Sequence, residues 1–349
     1  MSTRVRVLAA LVLLATSVGG FFAVRSTGAA ASSEDIRKAI LVCDPDLSPE
    51  HPVTKETEQA CMVEVMYEFY RRGFNDELWE ALRLQSQDVP DFYFACHDVL
   101  HKVGERALAE FKDMAELILL NNSDVCGTAF IMGGIDAFGA QEPTADEFLR
   151  VAQACEAMFG PGFASRLRGM CEHSMGHAAW KSTKVVEEAA ARCGLLATPS
   201  GQINCGDGVI MQLYQPANGV ASRPLEQARY EMEEVCESWP NIGSTRHGCY
   251  AGAGYIYSRP LFSYDSIVRG AAGGTQTLTA EQREKLRELS FDVVSLCKSH
   301  TWEEGVDACL ERASQDIPES IYWDTELTEE LCAQFGRHQD RCIVFDSGF

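Results

Sequence analysis

Four of the eight histidines form two pairs whose spacing suits metal binding. His97 and His101 are four residues apart, as are His173 and His177. On a helix this spacing places both imidazoles of a pair on one face, where they can supply two nitrogens to one metal ion. Two such pairs on neighbouring helices would offer four nitrogens, a set that suits zinc or copper. The opposing interpretation is that these histidines cap helix ends or fill polar gaps in the core.

The two pairs share a sequence context. Cys96 directly precedes the first pair, and Cys171 lies two residues before the second pair. The offset from the cysteine differs by one residue, so the two copies do not superpose strictly. His247, two residues before Cys249, is a candidate for a third and degenerate copy.

The sequence favours a non-enzymatic protein. His97-Asp-Val-Leu-His101 resembles the metalloprotease pattern His-Glu-x-x-His, but an aspartate stands where the glutamate would act as base. The second pair has no acidic residue between its histidines. A Gly-x-Ser-x-Gly nucleophile motif is absent, and the glycine-rich stretch 248–254 follows no predicted strand. A zinc or copper ion is therefore the one cofactor that the sequence suggests.

The charge of the chain restricts its partners. Asp and Glu outnumber Lys and Arg by 51 to 30, which gives a net charge of −21. A protein of this charge repels nucleic acids and anionic lipid surfaces. We expect the partner to be a protein or a small ligand, and contact with a membrane only through an N-terminal anchor.

The N-terminus has the features of an export signal. Arg4 and Arg6 form a positive region, and an apolar stretch covers residues 7–24. Ala29 and Ala31 fit a signal-peptidase site with cleavage after Ala31. The apolar stretch of 18 residues is also close to the minimum length of a membrane span, so an uncleaved anchor is the alternative. Both interpretations place residues 32–349 outside the cytoplasm, secreted or periplasmic.

The fourteen cysteines suit such an oxidising compartment. Taken in order along the chain they form seven neighbouring pairs, of which one, with a spacing of 30 residues, is much wider than the rest. Connectivity cannot be derived from a sequence, so pairing between neighbours is a hypothesis. The pairs are Cys43 with Cys61, Cys96 with Cys126, Cys155 with Cys171, Cys193 with Cys205, Cys236 with Cys249, Cys297 with Cys309, and Cys332 with Cys342.

The surroundings of these cysteines predict helical hairpins. In most pairs the first cysteine ends a helical pattern, a loop follows, and the second cysteine opens the next helical pattern. A bridge there would close a helix–turn–helix unit and stabilise it by about 3 kcal/mol in the chain-entropy model. Ser48, Thr54, Thr144 and Thr279 are predicted to begin helices. Prolines 90, 143, 161, 199, 216, 240 and 260 are predicted to separate the helical segments.

The predicted fold is all-α, an irregular array of disulfide-linked helical hairpins that is either solenoid-like or compact. The cysteines that open helices, Cys61 and Cys309 among them, recur at intervals that scatter from 30 to 60 residues. The intervals centre near about 35–45 residues, which is the size of a two-helix repeat. Glycines that follow these cysteines indicate close approach of a neighbouring backbone or a ligand. We divide the chain into an export segment (1–31), a Cys/His helical region (32–275) and C-terminal hairpins (276–349) that continue the same array.

The arrangement of cysteines between Cys155 and Cys342 resembles exported proteins built from disulfide-linked Sel1-like two-helix repeats. The segments around both histidine pairs are also similar to exported helical proteins rich in cysteine and histidine. The spacing is longer than in Sel1-like repeats, and their alanine/glycine consensus is not visible. The resemblance implies a helical array with a binding role, for a partner or ligand still to be identified. The alternative is a metal-binding protein or metalloenzyme that uses both histidine pairs.

Overall fold

The computed structural model describes residues 31–45, 47, 56–89, 92–120, 125–159, 165–214, 225–272, 278–321, 325–339 and 342. Most of the predicted export segment (1–30), the helix starts at Ser48 and Thr54, and the predicted boundary near residue 275 lie outside these residues. The described chain is helical and contains no β-strand. The predicted all-α fold class is thus confirmed.

Fifteen α-helices and one 3-10 helix lie within the described ranges. The α-helices are α1 (Ser33–Cys43), α2 (Glu56–Arg71), α3 (Asn75–Asp88), α4 (Phe92–Phe111), α5 (Met114–Leu120), α6 (Ala129–Gly139), α7 (Ala145–Phe159), α8 (Ser165–Thr183), α9 (Val186–Cys193), α10 (Pro199–Tyr214), α11 (Leu225–Glu237), α12 (Thr245–Ala272), α13 (Ala280–Lys298), α14 (Glu303–Ile321) and α15 (Thr325–Cys332). The 3-10 helix, Ala333–His338, follows α15 directly.

The even-numbered helices form one continuous row. Each of them, from α2 to α14, packs against the next even-numbered helix, and each odd-numbered helix from α1 to α13 packs against the even-numbered helix that follows it. Successive hairpins therefore stack side by side, and buried side chains from both sets of helices form one core cluster. This arrangement matches the predicted array of hairpins.

Seven disulfide bonds link the cysteines in the predicted neighbouring pairs. Five of them join the two helices of a hairpin, with Cα–Cα distances of 5.4–5.8 Å: Cys43 with Cys61, Cys155 with Cys171, Cys193 with Cys205, Cys236 with Cys249, and Cys297 with Cys309. The wide pair is different, because Cys96 in α4 is linked to Cys126, which lies just before α6. That bond links α4 to the segment just before α6 and so connects two successive hairpins. Cys332 is linked to Cys342 beyond the last helix.

The second cysteine of a hairpin bridge lies inside its helix, not at the start of it. Cys61 lies within α2, which begins at Glu56, and Cys309 lies within α14, which begins at Glu303. The prediction that Cys61 and Cys309 open their helices is therefore wrong by more than one helical turn. In α14 the preceding turn contains Glu303 and Glu304, and carboxylates there are stabilised by the helix dipole. The helix thus extends back beyond the cysteine.

The two cysteines also differ in their surroundings. The side chain of Cys61 is exposed, whereas Cys309 is completely buried in the core. Both bridges nevertheless have the same Cα–Cα distance of 5.5 Å. The bridge at Cys61 therefore lies at the surface of the first hairpin, and the bridge at Cys309 is part of the packed interior.

Glycines bring the even-numbered helices into backbone contact. A methyl group added at Gly176 in α8 would overlap the carbonyl oxygen of Cys205 in α10. One added at Gly208 in α10 would overlap the carbonyl oxygen of His173 in α8. Gly133 in α6 meets the backbone of α4 in the same way. The prediction of close approach is therefore confirmed, and the neighbour is a backbone.

The prediction that prolines separate the helical segments is only partly correct. Pro199 is the first residue of α10, the position where a missing N–H costs least. Pro260 was expected between helices but lies inside α12, a helix of 28 residues. Interior proline costs a helix about 3 kcal/mol. Packing of α12 against both α10 and α14 outweighs that local preference.

Candidate functional site

Each predicted histidine pair occupies one face of a helix. The ring centroids of His97 and His101 on α4 are 4.8 Å apart, and those of His173 and His177 on α8 are 4.9 Å apart. Helix α6 lies between α4 and α8 in the row. The described residues contain no group of three or more His, Cys, Asp or Glu side chains placed to hold one metal ion. The four histidines therefore do not form a single four-nitrogen centre in this structure.

The pair on α8 is buried and internally connected. His173 is 6% exposed and His177 is 3% exposed. Their Nε2 atoms face each other at 3.1 Å. At this separation one of the two nitrogens must hold a proton, or both must point at a shared cation, because two lone pairs at this distance repel.

Asp136 of α6 orients the ring of His177. Its Oδ1 atom lies 3.2 Å from His177 Nδ1, and its Oδ2 atom lies 2.8 Å from the Nζ atom of Lys181. Burial alone would raise the pKa of Asp136, but His177 and Lys181 outweigh it and leave the pKa below its usual value. The carboxylate is therefore ionised and accepts a hydrogen bond from the N–H at Nδ1 of His177.

Asp207 of α10 orients the ring of His173 in the same way. Its Oδ2 atom lies 2.9 Å from His173 Nδ1 and 3.9 Å from Arg312 Nε of α14. Burial would raise the pKa of Asp207, yet Arg312 and His173 lower it overall. The other oxygen, Oδ1, is buried and has no hydrogen-bond partner among the described residues.

These contacts form a continuous sequence that we call the histidine chain, largely buried except for the partly exposed cations at its two ends. It runs Lys181, Asp136, His177, His173, Asp207 and Arg312, and it draws on helices α6, α8, α10 and α14. Its two halves mirror each other, because each has a cation, a carboxylate and an imidazole in order. The midpoint is the 3.1 Å gap between the two Nε2 atoms.

The carboxylates determine which nitrogen carries the proton in each neutral ring. A neutral imidazole has one N–H and one lone pair, and the carboxylate takes the N–H at Nδ1. In that tautomer both Nε2 atoms have lone pairs that face the same gap, an arrangement that requires a proton or a cation between them. Burial lowers the pKa of His173, and the attraction of Asp207 only partly offsets that effect. The neutral ring is thus favoured at His173.

Met211 of α10 adds a third lone-pair donor at this point. Its Sδ atom lies 3.1 Å from His173 Nε2. A nitrogen that carries no proton cannot donate to this sulfur. His173 Nε2 thus lies 3.1 Å from each of two other donor atoms, the nitrogen of His177 and the sulfur of Met211.

The glycine contacts explain why these side chains meet. Gly176 lies between His173 and His177, and Gly208 directly follows Asp207. Their mutual contact brings α8 and α10 together at the height of the two imidazoles. With a larger residue at either position, α10 would have to move outward and carry Asp207 with it.

The pair on α4 lies close to the histidine chain but is held differently. Nδ1 of His97 donates to the carbonyl oxygen of Cys126 at 2.9 Å. Burial lowers the pKa of His101 to about 3, with a further contribution from His97, while Asp136 opposes the shift. His101 is therefore neutral and within electrostatic reach of the chain.

His247, the candidate for a third copy, belongs to a separate aromatic cluster. Its ring centroid lies 4.7 Å from that of Trp302, and the guanidinium of Arg246 lies 4.8 Å from the Trp302 centroid. The ring of Tyr250 also packs on Trp302, at 5.2 Å. These contacts fix the start of α12 against the start of α14, so His247 takes part in packing.

The sequence reasoning missed five residues of the site. Lys181 continues the four-residue spacing of the second histidine pair, so that spacing could have revealed it. Asp207 was visible only as an acidic residue between two glycines. Asp136, Met211 and Arg312 carry no local signal, because packing of distant helices brings them to the histidines.

No helix in the described part of the chain is both long enough and apolar enough to span a membrane. The predicted anchor, residues 7–24, lies outside that part. The resemblance to Sel1-like repeats stays a prediction, since no comparison bears on it. Searches against protein-family models, curated proteins and solved structures found no match to this chain.

Proposed function

We propose that this protein binds a transition-metal ion outside the cytoplasm, through the Nε2 atoms of His173 and His177. The observation that carries the proposal is that these atoms face each other at 3.1 Å, while Nδ1 of each ring is within hydrogen-bond distance of a carboxylate oxygen. Histidines that bind metals usually donate their other N–H to a carboxylate or a carbonyl. Both rings of this pair have that arrangement.

The separation of the two nitrogens suits a metal ion. Metal–nitrogen bonds of about 2.0–2.1 Å give two ligand nitrogens a separation of about 3.1 Å at an angle near 100°. A shared proton would also fit the distance, but it would place a charged imidazolium in a buried site. Burial opposes that charge, since transfer of an ion out of water is costly.

The seven disulfides support a site of action in an oxidising compartment. We propose export through residues 1–31 as the route, by cleavage or as an anchor. A chain of 349 residues has enough apolar residues to form a stable core without disulfides. The bridges therefore reflect the environment more than the size of the protein.

We propose a binding role rather than a catalytic one. His173 and His177 are 6% and 3% exposed, so a metal ion held there would have little room for a substrate. An open coordination position is what distinguishes catalytic from structural metal sites. The other predicted role, a helical array that engages a protein partner or a small ligand, stays a prediction.

Metal analysis of the purified protein with intact disulfides tests the proposal. The protein is dialysed separately against Zn(II) and against Cu(I), then against buffer, and its metal content is measured. We expect about one equivalent of at least one of these ions. His173→Ala/His177→Ala should lose that equivalent, because it removes both ligand nitrogens.

His338→Ala is the matched control. His338 is also buried and also lies on a carboxylate, Asp307, at 2.6 Å, but within the described chain it faces no second histidine. This variant should retain the full metal content. Unchanged metal content in the double variant, or no bound metal in the folded wild-type protein, would overturn the proposal. Circular dichroism establishes that each variant is folded.

A further inference from the structure

We infer that the ion held at the midpoint of the histidine chain is monovalent copper, with Met211 as its third ligand. The inference rests on the proposed function, because it names the ion for the same site. It is carried by Met211 Sδ, which lies 3.1 Å from His173 Nε2. The donor set would be His173 Nε2, His177 Nε2 and Met211 Sδ.

The sulfur of Met211 discriminates between metals. A thioether is a soft and uncharged donor, which favours Cu(I) over harder ions of higher charge. Zinc in structural sites is almost always bound by four ligands, often including charged thiolates. All fourteen cysteines are in disulfides, so no thiolate can complete a zinc site here. Three neutral donors instead suit a cuprous ion.

The charges around the site also favour a monovalent ion. Asp136 is neutralised by Lys181, and Asp207 faces Arg312 at 3.9 Å. The two carboxylates and two cations therefore sum to no net charge. A divalent ion on neutral ligands would leave two uncompensated charges in a buried place, whereas Cu(I) leaves one.

Binding of Cu(I) needs no electron transfer, and a proton shared by the two Nε2 atoms in the metal-free protein would leave to solvent as the ion binds. Both Nδ1 atoms stay in contact with their carboxylates, and both Nε2 atoms already face the gap. Met211 is the only partly exposed member of the donor set; its two partners are buried. The ion would therefore enter from the Met211 side and meet the sulfur first.

The test compares Met211→Leu with wild type in the full exported protein with its disulfides intact. Cu(I) is titrated without oxygen, in the presence of ascorbate, against the colorimetric chelator bicinchoninate. Zn(II) is titrated in parallel. We expect Met211→Leu to bind Cu(I) at least tenfold more weakly, with its Zn(II) affinity changed by less than twofold. Met175→Leu, a buried methionine on α8 between the two histidines, should change neither.

X-ray absorption of the copper-loaded wild type gives a second and independent measurement. We expect two nitrogen scatterers and one sulfur scatterer. A nitrogen-only spectrum, or equal Cu(I) affinity of Met211→Leu and wild type, would overturn the assignment of Met211. If His173→Ala/His177→Ala still loses its metal in that case, the proposed function survives without this inference. If that double variant also binds as wild type does, both fail.

Discussion

Gly208 lies against the carbonyl oxygen of His173, with no room for a side chain between helices α10 and α8. This contact fixes the distance between α10 and α8, and thereby places Asp207 Oδ2 at 2.9 Å from Nδ1 of His173. A backbone contact thus controls the geometry of a polar site. Stability and ligand binding should therefore depend on the same glycine.

Gly208→Ala should weaken both metal binding and folding. The added methyl group would push α10 away from α8, at a cost of about 1–3 kcal/mol in the free energy of unfolding. Urea unfolding and metal titration measure the two effects. Gly169→Ala on α8 is the control, because its methyl group would meet Asn204 at an ordinary distance of 3.4 Å.

The free energy of unfolding of the control variant should change in the opposite direction. Alanine is a better helix former than glycine by about 0.5–1 kcal/mol, so Gly169→Ala should stabilise the protein slightly. Equal effects of the two alanine substitutions would show that α8 and α10 are not in close backbone contact.

Asp136→Asn should weaken metal binding while the ligand histidines stay in place. The amide no longer carries the charge that holds the Nδ1 proton of His177 and the Nζ atom of Lys181. Loss of a carboxylate behind a ligand histidine typically lowers metal affinity about 10- to 100-fold. Competition titration measures this change. Asp292→Asn, at an exposed position on α13, should bind as wild type does, and a matching affinity of both variants would contradict the role of Asp136.

The metal-free protein should lose stability in acid because of His101. Its pKa is lowered to about 3 by burial, whereas the unfolded chain binds the proton near the ordinary value of 6.5. The stabilising contribution is complete above pH 6.5 and is lost as the pH falls towards 3. Its slope is at most about 1.4 kcal/mol per pH unit. Urea unfolding between about pH 7 and pH 4 should show a shallower slope for His101→Gln, and an identical slope would count against a neutral buried His101.

A disulfide map of the non-reduced protein should recover all seven neighbouring links. Each link closes a loop of 10–30 residues, and removal of one should cost about 2–4 kcal/mol. Cys193→Ser/Cys205→Ser should affect metal binding more than Cys332→Ser/Cys342→Ser, because only the first pair holds the helix of Asp207. Peptide mass mapping identifies the links, and a map rich in free thiols would contradict the hairpin array.

Local features of the sequence were the ones that could be predicted. The placement of each histidine pair on one helix face depends only on helical spacing. Each hairpin disulfide links two helices that follow each other in the chain. Thr144 and Thr279 form reciprocal hydrogen bonds with Glu147 and Gln282, as expected at helix starts. Such signals need no knowledge of tertiary packing.

Features that depend on the stacking of hairpins could not be predicted. Asp136 lies 41 residues from His177, and Arg312 is still further along the chain from Asp207, so no spacing rule relates them. Pro260 is tolerated within α12 because neighbouring helices hold that helix on both sides. The position of α6 between α4 and α8 likewise places a helix between two pairs that looked equivalent, although His101 stays within electrostatic reach of His177.

Anomalous X-ray diffraction from crystals of the metal-loaded protein is the most direct measurement. We predict one peak that bridges the Nε2 atoms of His173 and His177, with both Nδ1 atoms still on Asp136 and Asp207. Density that shows the two imidazoles in direct contact in copper-soaked crystals, with no anomalous peak between them, would contradict the metal-binding role.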